Sequence, residues 1–167
     1  IMLFGSNNEL VLNHVTAEVD EGYIVTTQST SKVIVNGGKY IQTGNANVCV
    51  FQNTGHMTLT DAVVEPKNKA VVNSGTLEIY GGSYKTVDQN CIVNNAGLVT
   101  IDKGTATEGL LEAEGASCIK NNWGRVTIKG GTITSDAETA VENNGGLRMS
   151  GGTVTAPQGT AILCTNI

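Results

Sequence analysis

The sequence predicts an all-β fold: a single-stranded parallel β-helix of about seven coils, three short strands per coil, wound right-handed, in one domain over residues 1–167. Three observations predict it. An apolar–polar–apolar triplet recurs, starting at Leu10, Val33, Met57, Leu77, Val99, Val126 and Leu147. A turn of small residues follows, often Gly-Gly, as in Leu77-Glu78-Ile79-Tyr80-Gly81-Gly82 and Val126-Thr127-Ile128-Lys129-Gly130-Gly131. An Asn then closes most repeats. A period of roughly 20 to 27 residues marks a solenoid, whose units bury their apolar sides only by stacking on one another.

Each repeat divides into three stretches of alternating polarity, the pattern of strands with one buried face. The triplet is the first. The second follows the Gly-Gly turn: Thr105-Ala106-Thr107, Thr132-Ile133-Thr134 and Thr153-Val154-Thr155, with Ser83-Tyr84-Lys85 a looser member. The third ends in Asn, as in Val50-Phe51-Gln52-Asn53, Cys91-Ile92-Val93-Asn94 and Cys118-Ile119-Lys120-Asn121. A turn containing Gly55, Gly75, Gly97, Gly124 or Gly146 leads back to the next triplet. Right-handed winding is expected because coils this long, without a strict hexapeptide repeat, are similar to the right-handed class. Gly-Gly pairs between strands supply positive φ; they have no strand–loop–helix context that would cradle a phosphate.

Asn53, Asn73, Asn94, Asn121 and Asn143 follow one another at spacings of 20, 21, 27 and 22 residues. They are expected to stack as a structural ladder of amides at a corner where Asn tolerates the left-handed region. Cys91 and Cys118 share a column with Val50, Ala70, Ala140 and Ala161, which makes them small core residues and free thiols, although stacking also brings them within bridging range. Cys49 lies one place earlier and faces the other way. No Cys-x-x-Cys pair suggests zinc.

With 21 Gly and 2 Pro in 167 residues, composition suits short strands and tight turns. A net charge of −5 argues against nucleic acid or an anionic membrane as partner. No apolar run is long enough to span a bilayer. The opening Ile1-Met2-Leu3-Phe4 is too short for a signal h-region, and a chain that starts with Ile reads as cut from something longer.

Outward positions carry whatever chemistry the chain has. Tyr80, Asp102 and Lys129 fall in one column, which makes Asp102 and Lys129 an interstrand charge pair worth about 0.2–1 kcal/mol. The Thr105/Thr107, Thr132/Thr134 and Thr153/Thr155 pairs would form a flat array of hydroxyls and methyls. The longest repeat carries an insertion, 108–115, in which Glu108, Glu112 and Glu114 offer a cation site, with Trp123 in a nearby turn placed to stack on a sugar ring. Insertions in solenoids often mark the binding face. The spacing lacks the Asp-x-Asp-x-Asp-Gly of a calcium loop, and no cofactor is expected. His14 and His56 read as solvent-facing loop residues, and no Gly-x-Ser-x-Gly or His-Glu-x-x-His motif is present.

The pattern Asn-x-Gly-x-Leu-x-Ile-x-Gly-Gly-Thr, matched by Asn73 to Ser83 and by Trp123 to Thr132, resembles the degenerate β-helix repeats of bacterial surface proteins and some phage structural proteins. The repeats at Leu10 and Met57 lack Gly-Gly. The Thr array is similar to the ice-binding faces of β-helical antifreeze proteins. Parallel β-helix pectate lyases and rhamnogalacturonases need several Asp and basic residues along one groove, whereas here Asp20, Asp61, Asp88, Asp102 and Asp136 fall at different phases. The resemblance implies a non-catalytic, adhesin-like binding or spacer module, extracellular or on a cell or virion surface, that contacts a glycan or cell-surface protein. A structural phage tail or filament subunit, part of a polysaccharide lyase or hydrolase, and an ice-binding face are the alternatives. Residues 1–9 read as the tail of a preceding coil, and 161–164 as the start of a further third strand. Open ends of this kind allow self-association.

Overall fold

The computed structural model describes residues 1–3, 7–44, 47–103, 109–137 and 139–165. Its strands are all parallel to their partners, and the described residues contain no helix. They stack as a β-solenoid of seven coils with three faces. The first two faces form one 12-stranded sheet and the third a 7-stranded sheet. Face one holds the leading halves of Glu9–Val19 and Lys32–Gln42, then His56–Thr60, Thr76–Tyr80, Leu98–Asp102, Arg125–Ile128 and Gly146–Met149. Face two holds the trailing halves of the same two long strands, then Val63–Glu65, Ser83–Val87, Leu110–Glu114, Thr132–Ser135 and Thr153–Thr155. Face three runs Val25–Thr27, Cys49–Asn53, Lys69–Asn73, Ile92–Asn94, Ile119–Asn121, Thr139–Asn143 and Thr160–Cys164.

The triplet register is the one the periodicity predicts. Leu10, Val33, Met57, Leu77, Val99, Val126 and Leu147 are successive partners, and Ile79 pairs with Ile101, which pairs with Ile128. Those three Ile side chains are buried, as are Tyr40, Val64, Tyr84, Leu111 and Ile133 from face two and Phe51, Val71, Ile92, Ile119 and Val141 from face three. Each such side chain gains roughly 1.5–3 kcal/mol from burial. Tyr40 meets Phe51 edge-on at 5.0 Å between ring centres, which locks face two to face three.

Polar side chains inside this core close the corners. Gln42 donates to Gly22 O at 2.9 Å, Thr86 to Gln89 O at 2.6 Å and Ser135 to Ala116 O at 2.7 Å. Each thereby satisfies a carbonyl in the link toward face three. Glycine serves the first corner, where Gly37, Gly81 and Gly131 have φ of 67°, 74° and 85°. In the repeats at Leu10 and Met57, which lack Gly-Gly, His14 and Asp61 take the place of Gly37 and Gly81, each at φ 50°.

The Asn ladder forms, but not through left-handed backbone. Among the described residues, only Asn7, His14, Asp61 and Asp88 are non-glycine with positive φ. The ladder residues end face-three strands, fully buried or nearly so. Their Nδ2 groups donate to the next Oδ1 in one direction: Asn53 to Asn73 at 2.7 Å, Asn73 to Asn94 and Asn94 to Asn121 at 2.8 Å, Asn121 to Asn143 at 2.6 Å. Thr27 Oγ1 starts the chain by donating to Asn53 Oδ1 at 2.7 Å. The second amide proton takes a turn carbonyl, as from Asn94 to Gly97 O at 3.0 Å. Asn is selected because it supplies both an acceptor below and two donors above and inward.

Coil five departs from the sequence reading. Leu110–Glu114 pairs as its second strand, with Leu110 between Ser83 and Thr132 and Glu112 between Lys85 and Thr134; residues 105–107, expected there from sequence, lie outside the described residues. Leu110 N–H donates to Gly82 O and Thr132 N–H to Gly109 O, so Gly109 stands where Gly82 and Gly131 do. Packing decides the choice: Leu111 fills the core between Tyr84 and Ile133, a space that Ala106 would leave empty. Glu112 and Glu114 therefore belong to a strand, not a loop. A second correction concerns the turn before coil seven. Gly145 holds the stacked turn position over Gly124, while Gly146 partners Arg125.

The first residues join face three beneath coil one, where Met2 bridges Thr26 and Leu3 N–H donates to Thr26 O at 3.0 Å. At the other end, Leu147, Val154 and Ile162 are only partly buried.

Candidate functional site

Strand alternation puts Tyr80, Asp102 and Lys129 outward on face one, in adjacent coils. They do not form the expected charge pair. The Asp102 carboxylate accepts its neighbour Lys103 N–H at 2.8 Å, and among the described residues Asp102 and Lys129 make no ion pair. Partial burial, then the Glu78 and Asp102 carboxylates, push the Tyr80 hydroxyl above its ordinary range. Glu78 is engaged by Thr58 Oγ1 at 3.3 Å and by His56 Nε2 at 3.5 Å. His56 is thus a strand residue facing an acid, whereas His14 sits at the first corner over Gly37.

Face two breaks up the Thr array. Thr132/Thr134 and Thr153/Thr155 pair in register, but Leu110 and Glu112 occupy the positions below them. Thr105, Thr107 and Glu108 lie outside the described residues. Glu112 is held by Lys85 Nζ at 2.7 Å, which raises the lysine pKa, and Glu114 is exposed. The strands thus separate Asp102 on face one from Glu112 and Glu114 on face two. Among the described residues no group of three or more His, Cys, Asp or Glu is placed to hold a metal ion.

On face three, Cys49 turns away from the core into a groove with Tyr23, Gln52, Lys69, Val72 and Val93. Its thiol is nonetheless covered, donates to Phe51 O at 3.1 Å, and is pushed up to about 11 by burial. A thiol so placed is no nucleophile at neutral pH. Cys91 and Cys118 are buried one above the other as free thiols.

Trp123 sits elsewhere, in the turn from face three to face one, and is 75% exposed. It lines a shallow depression with Ala96, Leu98, Arg125 and Gly146, and a second one shares Arg125 and Gly146 with Thr127, Leu147 and Arg148. The turn explains the exposure. From Asn53 to His56 is three residues, but from Asn121 to Arg125 is four, so Trp123 is surplus to the stacked path. The chain has one Trp and two Arg; Trp123 lines the first depression, Arg148 the second, and Arg125 both. Arg125 and Arg148 were not among the residues singled out from sequence, since they are 23 positions apart and meet only through the stacking of coils six and seven.

No family model, curated protein or solved structure matches this chain. The molecule is a parallel β-solenoid of about seven coils on the evidence of its own strand pairing.

Proposed function

We propose that this chain is a non-catalytic binding and display module, adhesin-like in role and working outside the cell or on a cell or virion surface, where it engages a glycan or a cell-surface protein. The observation that carries the reading is the depression beside Trp123. An indole 75% exposed on a rigid turn, next to a Leu98 side chain that is 53% exposed, is unusual for a surface with no contact to make. Support also comes from the outward rows, in which the Asp and Glu side chains are distributed over separate faces.

Binding of the intact chain to an array of glycans tests this. Saturable binding that falls on Trp123→Ala is expected. Turnover of a polysaccharide by the chain would overturn the reading in favour of a lyase or hydrolase, and failure to bind any glycan or cell surface would overturn it outright. Symmetric trimers in sizing measurements, without glycan binding, would instead support a structural phage or filament subunit.

A further inference from the structure

Resting on the binding-module reading, we infer that the two adjoining depressions beside Trp123 recognise an anionic glycan, one bearing carboxylate or sulfate groups, through Arg125 and Arg148, with Lys129 next along the same face. The protein as a whole is acidic, with a net charge of −5. Face one of coils five to seven is the reverse. Its outward positions are Leu98, Thr100 and Asp102, then Arg125, Thr127 and Lys129, then Gly146, Arg148 and Ser150. Asp102 is the lone carboxylate in that set, and it is occupied by the Lys103 N–H.

Four of the other seven lysines contrast with this. Lys32, Lys39, Lys85 and Lys120 each hold a carboxylate within 3.4 Å, on a strand of the adjoining coil. Among the described residues, Arg125, Arg148 and Lys129 form no ion pair. Arg148 stands opposite Thr127, midway between Arg125 and Lys129 on the neighbouring strand. Its Cα is about 8 Å from each, from a strand separation of about 4.8 Å and a two-residue step of about 6.8 Å. Three cations without a carboxylate partner among the described residues repel one another, and an anion placed among them relieves the repulsion. Guanidinium forks suit the two oxygens of a carboxylate or sulfate.

The shape fits a sugar rather than a peptide. Arg125–Ile128 is paired on both sides, so it offers no free edge for an added strand. What it offers is an indole face, an apolar Leu98 and the Thr127 hydroxyl beside cations, which matches a rigid ring with one apolar face, hydroxyls and an acidic substituent. Gly146 keeps the space open. His56, Thr76, Leu98 and Arg125 precede it in the column, all with side chains, and a Cβ on Gly146 would lie 3.5 Å from Arg125 Cγ.

The test is equilibrium binding of the intact chain to polygalacturonate, chondroitin sulfate and neutral dextran, with duplex DNA and phosphatidylserine vesicles as further arms. Binding to one or both acidic glycans, absent for dextran, is expected, and comparing the two separates carboxylate from sulfate. Arg125→Ala and Arg148→Ala should each weaken it about tenfold, a loss typical of one charge-assisted contact. Lys67→Ala, which removes a distant positive charge, should leave it unchanged. Gly146→Thr should weaken it with no change in charge. Binding to dextran that is indifferent to both arginines would overturn this inference and leave the binding module standing. Equal affinity for DNA or vesicles would also overturn it, as charge without recognition, and no binding to any glycan would remove both.

Discussion

Asn94 Nδ2 donates to Asn121 Oδ1 at 2.8 Å across the longest repeat in the chain, 27 residues. The ladder therefore keeps its register past the insertion. Asn94 also accepts from Asn73 and donates to Gly97 O. Asn94→Ala strands a buried donor on Asn73 and a buried acceptor on Asn121, which should cost about 2–4 kcal/mol. Urea unfolding will read this as a lower midpoint at unchanged slope.

Removing residues 104–108 joins Lys103 directly to Gly109, the connection that Gly130-Gly131 makes one coil on. Thermal unfolding of that deletion should show a change below about 1 kcal/mol, because shortening a connection alters closure entropy only slightly. Leu111→Ala, by contrast, opens a cavity between Tyr84 and Ile133 and should cost about 2–5 kcal/mol.

These two outcomes mark where the sequence was legible. The triplet columns and the Asn column were plain because their residues recur in kind and their partners lie one period away. Coil five was not. Thr105-Ala106-Thr107 copies the letters of Thr132-Ile133-Thr134, but Leu110-Leu111-Glu112-Ala113-Glu114 supplies the buried Leu111 and Ala113 that the core requires. Letter similarity lost to volume. The Arg125–Arg148 patch was hidden by one residue: counting Gly146 as the stacked turn glycine conceals that it faces Arg125, and Gly145 is the one that stacks. The amide role of the Asn column was readable, whereas its backbone conformation was not, since hydrogen bonding and left-handed turns both favour Asn.

Thiol titration separates core from surface. Cys49, Cys91 and Cys118 are buried and Cys164 is exposed. A thiol-reactive disulfide reagent should modify Cys164 in the native protein and all four after unfolding.

Two of the buried thiols, Cys49 and Cys118, also set an alkaline limit. Burial raises Cys49 to about 11 from an ordinary value of 9.0, and raises Cys118 in the same direction. Above pH 9 the unfolded chain releases these protons and the folded chain keeps them, so stability present below that pH is lost as pH rises toward 11. For Cys49 the loss is about 2–3 kcal/mol. Cys49→Ala should flatten the fall in unfolding free energy between pH 9 and 11; an unaltered slope would show that its thiol stays accessible.

Paired cysteines across coils five and six test the stacked register most directly. In a Cys164→Ser background, Leu110→Cys with Thr132→Cys puts two thiols on neighbouring strands whose Cα atoms are about 4.8 Å apart. Oxidation should give an intramolecular disulfide in high yield in the native protein, while Leu110→Cys with Thr153→Cys, two coils apart, should not close. Efficient closure of Thr105→Cys with Thr132→Cys, and none of Leu110→Cys with Thr132→Cys, would contradict this account.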